Sequence, residues 1–254
     1  MKKNINFYIF IYLSILFLFS IFFLYQKHDV ANDSTISEWL INYEGGFTKR
    51  GLIGQLSIYL SNFFLIKLRD SIFILQALLI GTYFLLIYFF LKNIFYNKIF
   101  IFAIFTPIFI LYPIAEIEVL ARKEIFIFIY LLTYTFIPIK KKISKFYYKL
   151  FLFPITILIW EPVIFFILFF FFLDLIENNI KKINKLFFLH ITSYLPSIFL
   201  ALYIALNPIA LENHNIMTNS LMQNFNENCY MSCELLKTKS SIYQQFQGNF
   251  DKYS

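Results

Sequence analysis

The chain has 254 residues, of which 59% are hydrophobic and only 15% charged, with a mean hydropathy of +0.67 and a formal net charge of +7. A soluble domain of this length needs far more polar surface, so these values exclude an ordinary soluble globular fold. The positive charge needs no nucleic acid as partner, because basic residues of membrane proteins gather in cytoplasmic loops and set orientation.

The chain opens with Met1-Lys2-Lys3 and an apolar run over 7–25. That run is long for a secretory signal, and the following Gln26-Lys27-His28-Asp29 offers no small-x-small cleavage site. It reads as an uncleaved anchor with its N-terminus in the cytoplasm. Further spans of roughly 20 apolar residues or somewhat fewer are expected near 71–91, 99–114, 125–139, 150–176 and 186–206. The connectors 92–98, 140–149 and 177–185 carry Lys92, Lys98, Lys140, Lys141, Lys142, Lys145, Lys149, Lys181, Lys182 and Lys185. The positive-inside rule puts all three in the cytoplasm with Lys2 and Lys3.

That arrangement dictates two departures from simple spans. The segment 51–66 should not cross, or every later loop would invert; the alternative is a short sixteen-residue span. Arg50, Gly54, Ser57 and Ser61 share one of its faces and large apolar residues cover the rest, which predicts an amphipathic helix on the outer membrane surface. The stretch 150–176 has basic loops on both sides and is interrupted by Trp160-Glu161-Pro162. Proline disfavours helical geometry in the residue before it, so a hairpin of two short helices, 150–160 and 162–176, is expected with Glu161 at its outward tip; the alternative is one long helix kinked at Pro162, with 177–185 outside. The fold class is therefore all-α: a polytopic transmembrane bundle over 1–206, followed by a polar extracytoplasmic tail, 207–254, whose abrupt ending reads as a truncated longer chain.

Ionisable groups at membrane depth are costly and become functional candidates. Outside the basic loops they fall in four places, all outward: Asp29, Asp33 and Glu38; the run from Tyr43 through Glu44 to Gly51; Glu116 through Glu124; and Glu161. Trp39 and Trp160 fall on the same side, as an aromatic belt would have it. Glu161 stands in an apolar run and needs a basic partner from another helix, for which Arg50, Arg122 and Lys123 are the choices. Glu118 and Arg122 have the spacing of an ion pair along one helix, and Lys123 and Glu124 that of a water boundary. Four of the six glycines lie between Gly45 and Gly54; with Lys49 and Arg50 beside them they offer donors and charge to an anion. A plain turn into an interfacial helix explains that pattern equally well. No ligand spacing suggests a metal, and none suggests a cofactor. Cys229 and Cys233 face an oxidising compartment in this topology, where a disulfide can form unless the stretch is helical.

One helix, an outward acidic loop, an amphipathic helix and a run of spans together resemble the polytopic C-type glycosyltransferases, which use polyprenyl-phosphate-linked sugars. Gly46-Phe47-Thr48-Lys49-Arg50-Gly51-Leu52-Ile53-Gly54 is similar to a Gly-Phe-x-Arg-Arg-Gly-Leu-x-Gly motif of membrane proteins from bacterial surface-polysaccharide clusters, with Lys49 in place of the first Arg. Arg122-Lys123-Glu124 and Trp160-Glu161-Pro162 look like further motifs of such proteins, the latter with Trp where His is usual. The chain is short beside the C-type enzymes. The resemblance implies an outward membrane enzyme in the bacterial inner membrane, with membrane lipids and a polyprenyl-phosphate-linked sugar as partners. It implies Asp33 as general base, Lys49, Arg50, Arg122 and Lys123 on the lipid phosphate, Glu161 orienting acceptor or cation, and Glu44 and Glu116 as secondary candidates. A flippase or a non-catalytic subunit would also carry intramembrane charges.

Overall fold

The structure is a computed structural model that describes residues 2–30, 34–93, 104–105, 120–180, 183 and 185–236. Every regular element among them is helical. In chain order these are α1 (Lys2–His28), α2 (Ser34–Leu40), α3 (Gly51–Phe64), α4 (Leu68–Asn93), α5 (Ile125–Phe136), α6 (Lys142–Ile159), a 3-10 turn (Glu161–Phe166), α7 (Ile167–Glu177), α8 (Lys185–Thr192), α9 (Leu195–Leu206), α10 (Leu211–Phe225) and α11 (Met231–Glu234). Three stretches, Ile5–His28, Leu68–Asn93 and Lys185–Leu206, are long and apolar enough to cross a membrane. The span expected at 99–114 lies outside the described residues except for Ile104 and Phe105.

Helices α1 and α4 pack side by side through Ile9, Leu13, Leu24, Ile80, Tyr83, Phe84 and Ile87. Between apolar helices in an apolar solvent there is little hydrophobic drive, so close packing has to supply the attraction. Gly81 permits it here: a Cβ at that position would meet the Phe17 ring at 3.5 Å, an ordinary contact. A second core joins α2, α3, α4, α6 and α10 through Ile36, Trp39, Leu40, Ile53, Ile72, Ile159 and Leu221. A third joins α5, α6, α7 and α9 through Ile127, Tyr130, Phe153, Val163, Phe170 and Tyr194.

The break in the apolar stretch falls at Trp160, which is extended (φ −152°, ψ 99°), and Pro162 stands at the second position of the new turn, where its missing N–H is no loss. Helices α6 and α7 fold back on each other about this point. Lys149 meets Asp174 at 2.5 Å, Lys145 pairs with Glu177, and the Phe153 and Phe170 rings lie 5.8 Å apart, all symmetric about Glu161. A continuous helix would hold Lys145 and Glu177 roughly 48 Å apart.

One expectation needs correction. The basic connector 140–149 is mostly helix: α6 starts at Lys142, and Lys145 and Lys149 are buried because Glu177 and Asp174 offer counter-charges inside. The face of α3 bearing Gly54, Ser57 and Ser61 packs into the protein. Its small residues allow that approach, and Leu56, Tyr59, Phe63 and Phe64 on the other faces are exposed. Within the polar stretch after α9, α10 and α11 bury His214, Met217, Leu221 and Cys233 against α2 and its neighbours. The rest of the tail lies outside the described residues.

Candidate functional site

The loop between α2 and α3 makes the site. Gly54 brings α3 hard against the end of α2: a Cβ there would stand 1.9 Å from the Ile41 carbonyl oxygen and 2.6 Å from that of Trp39. Gly51 likewise leaves room for the Tyr43 ring, 2.2 Å from where its Cβ would be. Just before Gly51, Arg50 caps α3 in the left-handed region (φ 63°), a conformation non-glycine residues rarely hold without support. The support is Lys123, whose ammonium donates to the Arg50 carbonyl at 2.6 Å. Ala121, two residues before Lys123, is also left-handed (φ 56°), and its carbonyl accepts from the Trp39 indole at 3.1 Å.

From this platform the Arg50 guanidinium reaches Glu161 with two parallel hydrogen bonds, Nε to Oε2 at 2.7 Å and Nη2 to Oε1 at 2.9 Å. This fork-on-carboxylate geometry is available to Arg but not to Lys. Lys49 stands 3.7 Å from the same carboxylate with its side chain 42% exposed. On the other side Glu38 lies 4.0 Å from Arg50 Nη1 and accepts from Arg122 Nη2 at 2.7 Å, and Arg122 also meets Glu124 at 3.2 Å. Four cations and three carboxylates from four distant parts of the chain thus form one cluster.

Burial disfavours the charges of Arg50, Lys123, Glu124 and Glu161, and the pairings decide the outcome. Burial opposes the Arg50 charge, but the hydrogen bonds and charge of Glu161, with Glu38 and Glu124 behind, raise its pKa overall. Burial likewise pushes Glu161 up, yet Arg50 and Lys49 hold it below the usual carboxylate range. Glu124 goes up, chiefly through burial, against the pull of Arg122. Lys123, fully enclosed, is brought down to about 7 by desolvation, with Glu38 opposing and Arg50 assisting. Its ammonium state is therefore the adjustable charge of the cluster.

Of the residues singled out in the sequence, the structure brings Lys49, Arg50, Arg122, Lys123 and Glu161 together. Glu44 sits at the rim, exposed, accepting from Gln55 at 3.0 Å. Asp33, Glu116 and Glu118 lie outside the described residues. Arg122 pairs with Glu38 and Glu124. Lys123 is no boundary residue but a buried one, and Trp39, 1% exposed, belongs to the core rather than to a belt. Glu38, which links Arg50 to Arg122, is the member sequence reasoning undervalued; its place inside the apolar Ile36-Ser37-Glu38-Trp39-Leu40 was the available signal.

A second ionic cluster was missed. Asp174 on α7 takes hydrogen bonds from Lys149 at 2.5 Å, from Tyr134 and from Tyr194 at 3.4 Å, while Lys149 Nζ lies 2.8 Å from His190 Nδ1. Lys149, Asp174 and His190 are all buried. The signal was the lone acid in Phe171-Phe172-Leu173-Asp174-Leu175-Ile176, a stretch otherwise as apolar as the one around Glu161. Among the described residues no group of His, Cys, Asp and Glu is arranged to hold a metal ion.

No protein-family model matches the chain, and neither curated proteins nor solved structures provide a similar one.

Proposed function

We propose that the chain is a multi-pass protein of the bacterial inner membrane, N-terminus in the cytoplasm, that transfers a sugar from a polyprenyl-phosphate donor on the outer side during envelope polysaccharide or glycolipid assembly. The observation that carries this reading is the Arg50–Glu161 fork flanked by Lys49, Glu38 and Arg122 at the tip of the α6–α7 hairpin, which the reading places on the outer side. A phosphate is the ligand that competes best with a carboxylate for a guanidinium fork. When the donor's phosphate takes Arg50 and Lys49, Glu161 is released beside it. A carboxylate there draws the proton from the acceptor hydroxyl, whose oxygen attacks the anomeric carbon. The bond from that carbon to the phosphate oxygen breaks, and its electron pair leaves on the lipid phosphate, where the cations stabilise it. Lys123 beneath sets the charge of the cluster. The resemblance implies Asp33 as the base instead, with Glu161 orienting the acceptor or a cation.

A second reading has its own support. The buried Lys149–Asp174–His190 group and the interrupted α6–α7 and α8–α9 pairs suit a transporter of lipid-linked glycans.

The test compares lipid-linked and surface glycans in host cells carrying the intact gene, Glu161→Gln or a deletion. Loss of one sugar from the surface glycan, with its polyprenyl-phosphate donor accumulating, supports transfer. Accumulation of the complete lipid-linked glycan favours transport, and unchanged glycans in both strains overturn the two readings together.

A further inference from the structure

We infer that the Cys229–Cys233 disulfide is a redox-sensitive clasp that seats α2, and with it Glu38, in the ionic cluster. The inference stands on packing alone and does not depend on sugar transfer.

Cys229 lies in the extended stretch after α10 and Cys233 in the single turn of α11, which sets their Cα atoms 5.4 Å apart and lets the sulfurs bond. A continuous helix through both would not have done so. The clasp closes a segment fastened at both ends. Before it, Glu227 takes a two-pronged grip from Arg69, Nε at 2.6 Å and Nη2 at 3.0 Å, while Arg69 Nη1 donates to the carbonyls of His28 and Val30. That fixes one end to the junction of α1 with α4. Within the loop, Ser232 Oγ meets Ser37 Oγ at 2.7 Å, and Ser37 is the neighbour of Glu38. Beyond it, the Cys233 carbonyl is 2.9 Å from His214 Nε2, and Cys233 packs with Ile41 and Met217 in an enclosed core. The four-residue span of the bridge holds Ser232 at the right height for Ser37.

Helix α2 has only seven residues, so its position is set by what packs on it. On one side these are α3, through Gly54, and the second core around Ile36, Trp39 and Leu40; on the other it is this clasp. Reduction takes two electrons and two protons and returns two thiols. With a phosphine as reductant, the phosphine becomes its oxide, water supplying the oxygen. The 229–233 loop then relaxes, Ser232 leaves Ser37, and α2 loses its outer wall. Glu38 retreats from Arg122 and Arg50, leaving the cluster more positive.

The molecule carries its own reporter. Its tryptophans are two, Trp39 and Trp160, and Trp39 adjoins Glu38 with its indole bonded to the Ala121 carbonyl. The experiment uses the full chain in nanodiscs, as wild type and with Trp160→Phe to isolate Trp39. Treatment with a phosphine reductant is expected to expose two thiols to maleimide and to raise acrylamide quenching of Trp39 at least twofold, with helix content unchanged. Cys229→Ser with Cys233→Ser should show the raised quenching without reductant. Thiols released with Trp39 quenching unchanged would overturn the clasp. So would a disulfide that resists reduction in the folded protein, or a reduced protein that loses its helix content, since the bridge would then be a general staple.

Discussion

The Lys123 ammonium and the Arg50 main-chain oxygen are 2.6 Å apart, which ties a fully buried cation to the one left-handed residue at the centre of the cluster. Burial lowers the Lys123 pKa from 10.5 to about 7, whereas the unfolded chain keeps the ordinary value. Below about 7 both states hold the proton and the folded state bears the full penalty of burying it. Between about 7 and 10.5 the unfolded chain is protonated and the folded chain is not, so stability rises with pH, by at most about 1.4 kcal/mol per unit. Thermal unfolding in nanodiscs between pH 7 and 9 should show an upward slope in wild type that is flattened in Lys123→Met. A wild-type profile that falls over that range would contradict this.

Arg50 and Glu161 should behave as one unit. Each single change, Arg50→Met or Glu161→Met, strands a largely buried charge; the double change strands neither. A double-mutant cycle on unfolding free energy should give a coupling of about 2 kcal/mol. Arg50→Lys, which keeps the charge and loses the fork, should recover less than half of it.

The Lys149–Asp174 pair, both side chains 0% exposed, should follow the same rule more strongly. Lys149→Met alone or Asp174→Leu alone should cost about 3–5 kcal/mol, and the double variant should regain most of that. If the double variant is as unstable as the singles, Tyr134 and His190 hold the cluster independently of the pair.

Two glycines offer a controlled contrast. Gly54→Ala drives a methyl into two main-chain carbonyls and should destabilise by about 3 kcal/mol, read as loss of monodisperse protein in detergent or a large fall in Tm. Gly81→Ala meets only the Phe17 ring at ordinary distance and should raise stability by up to about 1 kcal/mol, because alanine is the better helix former.

What could be read ahead of the structure followed from strong local signals. Apolar runs of spanning length marked α1 and α4, and Trp160-Glu161-Pro162 marked an interruption because a proline following a charged residue in an apolar run disfavours helix there, whereas Pro154 sits within α6 without ending it. Arg50 and Glu161 stood out as rare charges, yet composition could not choose between Arg50, Arg122 and Lys123 as the partner. That choice rests on the left-handed turn at Arg50, a tertiary effect enforced by Gly51, Gly54 and Lys123. The lysines of 140–149 misled for the opposite reason. Positive charge near an apolar run signals a cytoplasmic loop only while no acid waits inside, and Asp174 and Glu177 come 25 and 32 residues later in the chain. The helical fold of 211–225 was hidden because its buried face is narrow: His214, Met217 and Leu221 in an otherwise polar sequence.

The Arg50–Glu161 fork also imposes an order on the making of the protein. The two residues are 111 positions apart, so at about 5–20 residues per second Arg50 emerges roughly 6 to 22 s before its partner exists. At first Glu38, synthesised just earlier, is the carboxylate of the finished cluster available to it, and Glu124 follows 37 residues before Glu161. The fork is thus the last ion pair of the cluster to close, once the tip of the α6–α7 hairpin has been made.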